Sequence, residues 1–325
     1  MNNSLLTNAL YFMRTFFYSA VFAREHKILK AKKLYQKNAY WQLKSRFRSY
    51  YEEIRNLNIE TFITPHWNVF NSELEKHFLP YPDFSFLRDY VVIKTMFMMR
   101  GGELLKKQIM FLEQNIPEDR LMEVLEEDYM GNPVLLNSKY LTSHNDIHHL
   151  FHLANYFKAI NCPMDTIKTV VEWGGGYGNM AKMFKKYKMF NGTYIIVDTP
   201  LVSCLQWLYL ASLLGESTVI LMTAQGQRIV PGKINLVPVC FVKDVQMQAD
   251  MFISTWALSE SAMGAQTFVV NNNWFGAKHL LLAYHGQYNG QHNARLSLGG
   301  FDCTKDNELK INEINFLPGN YYAFK

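Results

Sequence analysis

The residues best suited to chemistry lie in the second half of this 325-residue chain. Val170-Val171-Glu172-Trp173 runs into Gly174-Gly175-Gly176-Tyr177-Gly178, an acid-x-Gly-x-Gly-x-Gly pattern placed where an apolar run gives way to helical spacing. A tight glycine turn at the carboxyl end of a buried strand lets a ligand approach the backbone, and the helix that follows offers free N–H groups. The dinucleotide fingerprint needs a third glycine at position 179, where this chain has Asn179. Asp198 ends the next apolar run, where a carboxylate can accept both hydroxyls of a ribose.

Acid–base groups stand in three further places. After a fourth strand, Ser254-Thr255-Trp256 would reach the edge of the bound ligand, and Glu260 lies beyond it as a base, a hydroxyl acceptor, a metal ligand or simply a carboxylate stabilised at a helix N-terminus. After a fifth strand, Tyr284-His285-Gly286-Gln287-Tyr288-Asn289 places an imidazole among polar and aromatic residues. His285 is the first choice for a general base, with a hydrogen-bonded structural histidine as the alternative. Before the first strand, Ser143 reads as an N-cap, followed by His144, His148, His149 and His152. His144, His148 and His152 share a helical face at a spacing that can hold a metal, but no H-E-x-x-H accompanies them, and a polar pocket wall is the expected role. No metal is expected.

These groups need a scaffold that brings them to one edge. The runs Thr169 to Trp173, Tyr194 to Val197, Ile234 to Val239, Met251 to Ile253 and Leu280 to Tyr284 have the length of buried strands and alternate with helical segments, which predicts a parallel sheet. Val219 to Met222 competes for the third strand. Met180, Met183, Phe184 and Tyr187 repeat at helical spacing, and Thr199-Pro200 with Gly215 bracket a second helix as cap, first position and stop. Leu309 to Leu317 and Tyr321 to Phe324 would add an antiparallel hairpin at the sheet edge. Ile147, Leu150, Phe151 and Ala154 predict the buried stripe of the helix that carries the histidines.

Residues 1–140 read as helical, including Glu103 to Gln114 and Pro117 to Tyr129, with breaks at Pro80, Pro82 and Gly101-Gly102. A basic amphipathic arm spans residues 1–48, and cap helices fill residues 49–140. Within residues 24–48, nine Lys and Arg face Glu25 alone, although the whole chain carries only +5. The aromatic stretch Leu5 to Phe22 lacks a basic start and a cleavage site and has Arg14 in its middle, so it reads as neither signal peptide nor membrane span. The arm is either a solvated helix packed on its own domain or a surface for anionic lipid or a phosphorylated carrier. Hydrophobic residues at 49% and aromatics at 15% exclude a disordered or low-complexity chain. Four cysteines, Cys162, Cys204, Cys240 and Cys303, form no C-x-x-C pair, which fits a reducing cytoplasm.

Glycine turn, acid after the second strand and parallel order together resemble the class I S-adenosylmethionine-dependent methyltransferases. With Glu126-Glu127-Asp128, Gly131-Asn132-Pro133, the Ser143 to His152 segment, Asp198-Thr199-Pro200, Leu205-Gln206 and Ser254 to Glu260, most of the chain from about residue 60 is similar to a bacterial sugar O-methyltransferase family. The resemblance implies a Rossmann-like, mostly parallel sheet with a C-terminal antiparallel strand, preceded by a helical N-terminal region, with residues 141–325 as the catalytic domain. It implies S-adenosylmethionine as cofactor. Gly174, Gly175, Gly176, Tyr177 and Gly178 would hold its methionine part, Glu172 its charged end, Asp198 and Thr199 its ribose side, with Ser143, His149, Ser254, Thr255 and Trp256 along the pocket. His285 and Glu260 would serve catalysis on a sugar or glycan hydroxyl in polysaccharide biosynthesis. Other small acceptors, and a non-catalytic scaffold in glycan assembly, are the alternatives. The basic block at the N-terminus, away from the catalytic mouth, argues against nucleic acid as the partner.

Overall fold

The computed structural model describes residues 27–97, 102–137, 139–161, 163–286, 297–298, 301–302, 308–314 and 317–325. The stretch Leu5 to Phe22, Gly101, Cys162, Cys303 and Gln287-Tyr288-Asn289 lie outside the described residues.

The apolar runs form one eight-stranded sheet. Its strands are β1 (Thr169–Trp173), β2 (Thr193–Asp198), β3 (Val219–Leu221), β4 (Ile234–Pro238), β5 (Met251–Thr255), β6 (His279–His285), β7 (Lys310–Glu313) and β8 (Asn320–Phe324). Their spatial order is β7-β8-β6-β5-β1-β2-β4-β3. Both candidates for the third strand are therefore strands, and Val219–Leu221 takes the edge beside β4. Strands β3 to β6 and their neighbours β1 and β2 pair in parallel, whereas β8 runs antiparallel between β6 and β7. Val170, Val171, Ile196, Leu236 and Phe252 are fully buried, as strands covered on both faces require. This is the mostly parallel Rossmann-like sheet, with a C-terminal antiparallel hairpin at its edge, that the sequence predicts.

Register brings the chemistry to one edge. Trp173 pairs with Val197, Thr255 with Ala283, and His285 with Asn320. Because β8 runs against the rest, its first residue, Asn320, arrives at the edge where the parallel strands end.

Ahead of the sheet lie α1 (Lys27–Ile54), α2 (Pro65–Phe78), α3 (Tyr90–Met96), α4 (Gly102–Asn115), α5 (Glu118–Leu125) and α6 (His144–Ile160). Within and beyond its first strands come α7 (Asn179–Lys188), α8 (Pro200–Leu214), the single turn α9 (Ala257–Glu260) and α10 (Met263–Asn271). Helix α5 stops at Leu125, short of the expected Tyr129, because Glu127 turns inward to meet a lysine. Helix α8 is buried around almost its whole circumference, since α1 covers the side away from the sheet and Tyr50 meets Trp207 edge to face at 4.8 Å.

The basic arm is thus only partly an arm. Tyr40, Phe47 and Ile54 of α1 are at most 1% exposed, and its charges fasten it to the body. Lys32 pairs with Glu126 and Asp128 at 3.3 and 3.4 Å, Lys33 donates to Asn132 at 2.7 Å, and Arg46 pairs with Glu216. Among the described residues no helix is long and apolar enough to cross a membrane.

Candidate active site

The glycine turn is dictated by what surrounds it. Gly174 adopts φ +74°, and a Cβ there would overlap that of Ala257; a Cβ on Gly175 would fall 2.6 Å from Ile196. Gly178 at φ +95° is the N-cap of α7, with Leu210 2.9 Å from where its Cβ would lie. Only glycine allows this backbone to lie so close to the turn after β5 while leaving its other side open. That side forms one wall of a cavity of about 500 Å³.

Glu172, Gly174, Gly175, Gly176, Tyr177, Asp198, Thr199, Thr255, Trp256, His149, Glu260 and His285 all line this cavity. Ser143, Gly178 and Ser254 do not. The Ser143 hydroxyl accepts from the Asp146 N–H at 3.4 Å and caps α6. Ser254 Oγ donates to the Trp173 carbonyl at 3.1 Å and accepts from the Leu258 N–H at 3.0 Å, which pins the turn from β5 into α9.

Asp198 is held from four directions. Its Oδ1 accepts from the Thr199 N–H at 2.7 Å and its Oδ2 from Gln206 Nε2 at 2.9 Å, while backbone N–H groups of Gly176 and Gly175 also favour its charge. Burial outweighs these donors and pushes its carboxyl up to about 7. Gln206 also donates to the Gly176 carbonyl at 2.8 Å, so one buried amide fixes both the acid and the glycine turn. Thr199 caps α8 by its extended backbone alone, since its hydroxyl donates to Asn71 Oδ1 at 3.3 Å. Glu172, 1% exposed, accepts from the Tyr194 hydroxyl at 2.9 Å. Burial raises its carboxyl to about 8, a shift the Tyr194 bond resists and the neighbouring Asp198 charge reinforces.

A polar chain also lines the cavity. Asn320 Nδ2 donates to the Leu317 and Pro318 carbonyls, both at 3.2 Å, which turns its Oδ1 to His285 Nδ1 at 2.8 Å. Nδ1 therefore carries the hydrogen, and Nε2 faces Glu260 Oε1 at 3.1 Å. Glu260 is the last residue of the single-turn α9 and lies in its first turn. Trp256, at φ +72° and ψ −42°, makes the sharp turn that sets its indole 5.5 Å from the His285 ring.

Helix α6 forms another wall and is buried on more than the predicted stripe. It packs against α4, α7 and β8, so Asn145, Asp146, His148 and His152 are buried along with Ile147, Leu150, Phe151 and Ala154. The histidines form a relay: Gln108 Nε2 meets His148 Nδ1 at 2.7 Å, His148 Nε2 meets His152 Nε2 at 2.9 Å, and His152 Nδ1 meets the Tyr322 hydroxyl at 2.6 Å. Burial holds both imidazoles well below their usual range, hence neutral. Among the described residues no group of three or more potential ligands is arranged to hold a metal.

Sequence reasoning missed several lining residues: Asn145, Asn320, the α3 end Lys94 to Phe97, and Phe62, Ile63 and Trp67. Asn320 carried no signal because only the antiparallel register places it beside His285. The α3 segment reaches the glycine turn from far away in sequence, with Phe97 stacked on Tyr177 at 5.8 Å.

In fold, the chain is similar over part of its length to several solved proteins, some of them named as methyltransferases. One is the mitomycin 7-O-methyltransferase MmcR, with 12% identity and a TM-score of 0.38 over 68% of this chain and 66% of that one. Another is human N-acetylserotonin methyltransferase in complex with SAM, with 13% identity and a TM-score of 0.33 over 78% and 73%. A third is the pyocyanin biosynthetic protein PhzM, with 15% identity and a TM-score of 0.33 over 56% and 57%. The chain spans less than two thirds of the length of MmcR and PhzM. No family model matches the chain, and no curated protein does.

Proposed function

We propose that the protein is an S-adenosylmethionine-dependent O-methyltransferase whose acceptor is a hydroxyl of a sugar or glycan precursor. The observation that carries this reading is a single cavity lined both by a glycine turn with its clamped carboxylate and by the Asn320–His285–Glu260 chain. The bare backbone at Gly174 to Gly176 fits the cofactor's methionine part, and Asp198, already fixed by Gln206, fits the ribose hydroxyls. When bound, the cofactor supplies an electrophilic methyl group on a sulfonium.

The chain's own residues position the acceptor and remove its proton. Displacement at a methyl group needs no covalent intermediate, so positioning carries most of the acceleration. Asn320 Oδ1 keeps the His285 hydrogen on Nδ1, which leaves Nε2 and Glu260 to take the hydroxyl proton between them. The imidazolium so formed is stabilised by Glu260. Trp256 offers an aromatic face beside this pair, and Glu260 gives a polar group suited to a hydroxyl-rich ring. Methylation of another small acceptor would use the same pair.

The test is transfer of labelled methyl from S-adenosylmethionine to a panel of nucleotide sugars and glycan fragments. Label in a sugar product supports the reading; label only in non-sugar hydroxyl acceptors overturns its sugar part.

Peripheral contact of residues 1–48 with the inner face of an anionic membrane belongs to the same proposal. It is supported by the outer face of α1, where Leu34 and Trp41 are 61% and 52% exposed beside Lys37 and Arg48. Replacing Trp41 by Ala and Lys37 by Glu should weaken binding to anionic liposomes, and unchanged binding refutes this part.

A further inference from the structure

Two side chains of α6 face the cavity one helical turn apart, and buried bonds fix the polarity of each. Asn145 spends its amide hydrogens on the Met96 carbonyl at 3.1 Å and the Tyr177 hydroxyl at 3.3 Å. Its Oδ1 is left as an acceptor with no partner among the described residues. His149 is set by Asn179, the first residue of α7. The Tyr209 hydroxyl donates to Asn179 Oδ1 at 3.4 Å, which turns the amide Nδ2 to His149 Nδ1 at 3.1 Å. Nδ1 is thus the acceptor, and the ring hydrogen sits on Nε2. Burial lowers this imidazole to about 4, so at neutral pH it is an uncharged donor.

An acceptor and a donor one helical turn apart, beside the glycine turn, suit a group that carries a donor and an acceptor of its own on one carbon. An α-amino acid is such a group: its ammonium donates and its carboxylate accepts. The fixing residues, Tyr177 and Asn179, belong to the glycine turn and the helix it starts, so turn and α6 form one preset unit. Neither bond requires rearrangement on binding.

We propose that Asn145 and His149 read the amino-acid end of the ligand, Asn145 Oδ1 accepting from its ammonium and His149 Nε2–H donating to its carboxylate. This assignment rests on S-adenosylmethionine being the cofactor.

The experiment compares two probes by calorimetry: S-adenosylhomocysteine, and methylthioadenosine, which keeps the adenosine and sulfur but lacks the amino-acid end. Wild type should bind the first more tightly. His149→Ala and Asn145→Ala should each weaken S-adenosylhomocysteine by roughly 10- to 100-fold, the effect of losing one hydrogen bond to a charged group, and leave methylthioadenosine within about twofold. His149→Gln, which retains an N–H donor, should recover part of the loss. Equal weakening of both probes by His149→Ala, or none, overturns the inference. Wild type that binds the two probes equally also overturns it, while the cofactor reading stands. Wild type that binds neither overturns both.

Discussion

Glu260 Oε1 lies 3.1 Å from His285 Nε2, and the opposite nitrogen of that ring is held by Asn320 at 2.8 Å. The two acids and bases sit 25 residues apart in sequence and meet because β5 and β6 are parallel neighbours that end at the same edge. His285→Ala should lower turnover by about 10²- to 10⁴-fold and leave S-adenosylhomocysteine affinity unchanged. Turnover within about tenfold of wild type would remove His285 from the role of base. Asn320→Ala should reduce turnover less and distort its pH profile, because the tautomer is no longer imposed.

Asp198 and Glu172 make cofactor binding depend on pH. Their carboxyls are raised to about 7 and about 8, so each gains its charge as pH rises through those values. Only the charged forms favour ribose hydroxyls and a cationic ligand fully, so affinity for S-adenosylmethionine should fall as pH drops from 8 to 6. Folding stability of the free protein runs the other way. An acid raised above its unfolded value, near 4, costs stability as pH climbs through about 7. Asp198→Ala should weaken binding by about tenfold or more and flatten the lower part of the affinity profile. Calorimetry at several pH values checks both.

Lys182 is the buried fastening beneath α6. It is 2% exposed and meets Asp146 at 2.8 Å and Glu127 at 3.3 Å; burial opposes its charge, but these carboxylates hold it well above the ordinary lysine range. Lys182→Met would leave two buried carboxyls without their cation and should cost about 3–5 kcal/mol of stability in urea denaturation. A loss below about 1 kcal/mol would show that the cluster is well solvated.

Gly174→Ala tests the turn itself. Both its φ of +74° and the overlap with Ala257 oppose a side chain, so the variant should lose at least about 2 kcal/mol and bind cofactor poorly. Wild-type stability would mean that the turn after β5 yields without cost.

Much of this framework is legible in the chain. Runs such as Val170-Val171 and Leu280-Leu281-Leu282 announce buried strands because both faces of a parallel sheet are covered, and Gly174 to Gly178 mark the turn because no other residue accepts its backbone. Pairings that depend on register or on distant segments are not legible. Asn320 beside His285 and Met96 against Asn145 join residues whose own neighbourhoods carry no sign of the partner. Within the basic arm, Tyr40 and Phe47 are core residues, as a helix packed on its own domain requires, so removing residues 1–48 should unfold α1's contact with α8.

The central claim, that the cavity at the glycine turn binds S-adenosylmethionine, is tested most directly by calorimetric titration with S-adenosylmethionine, S-adenosylhomocysteine and NAD in parallel. The predicted result is micromolar binding of both sulfur nucleosides and none of NAD. Binding of NAD alone, or heat from none of the three, would contradict it.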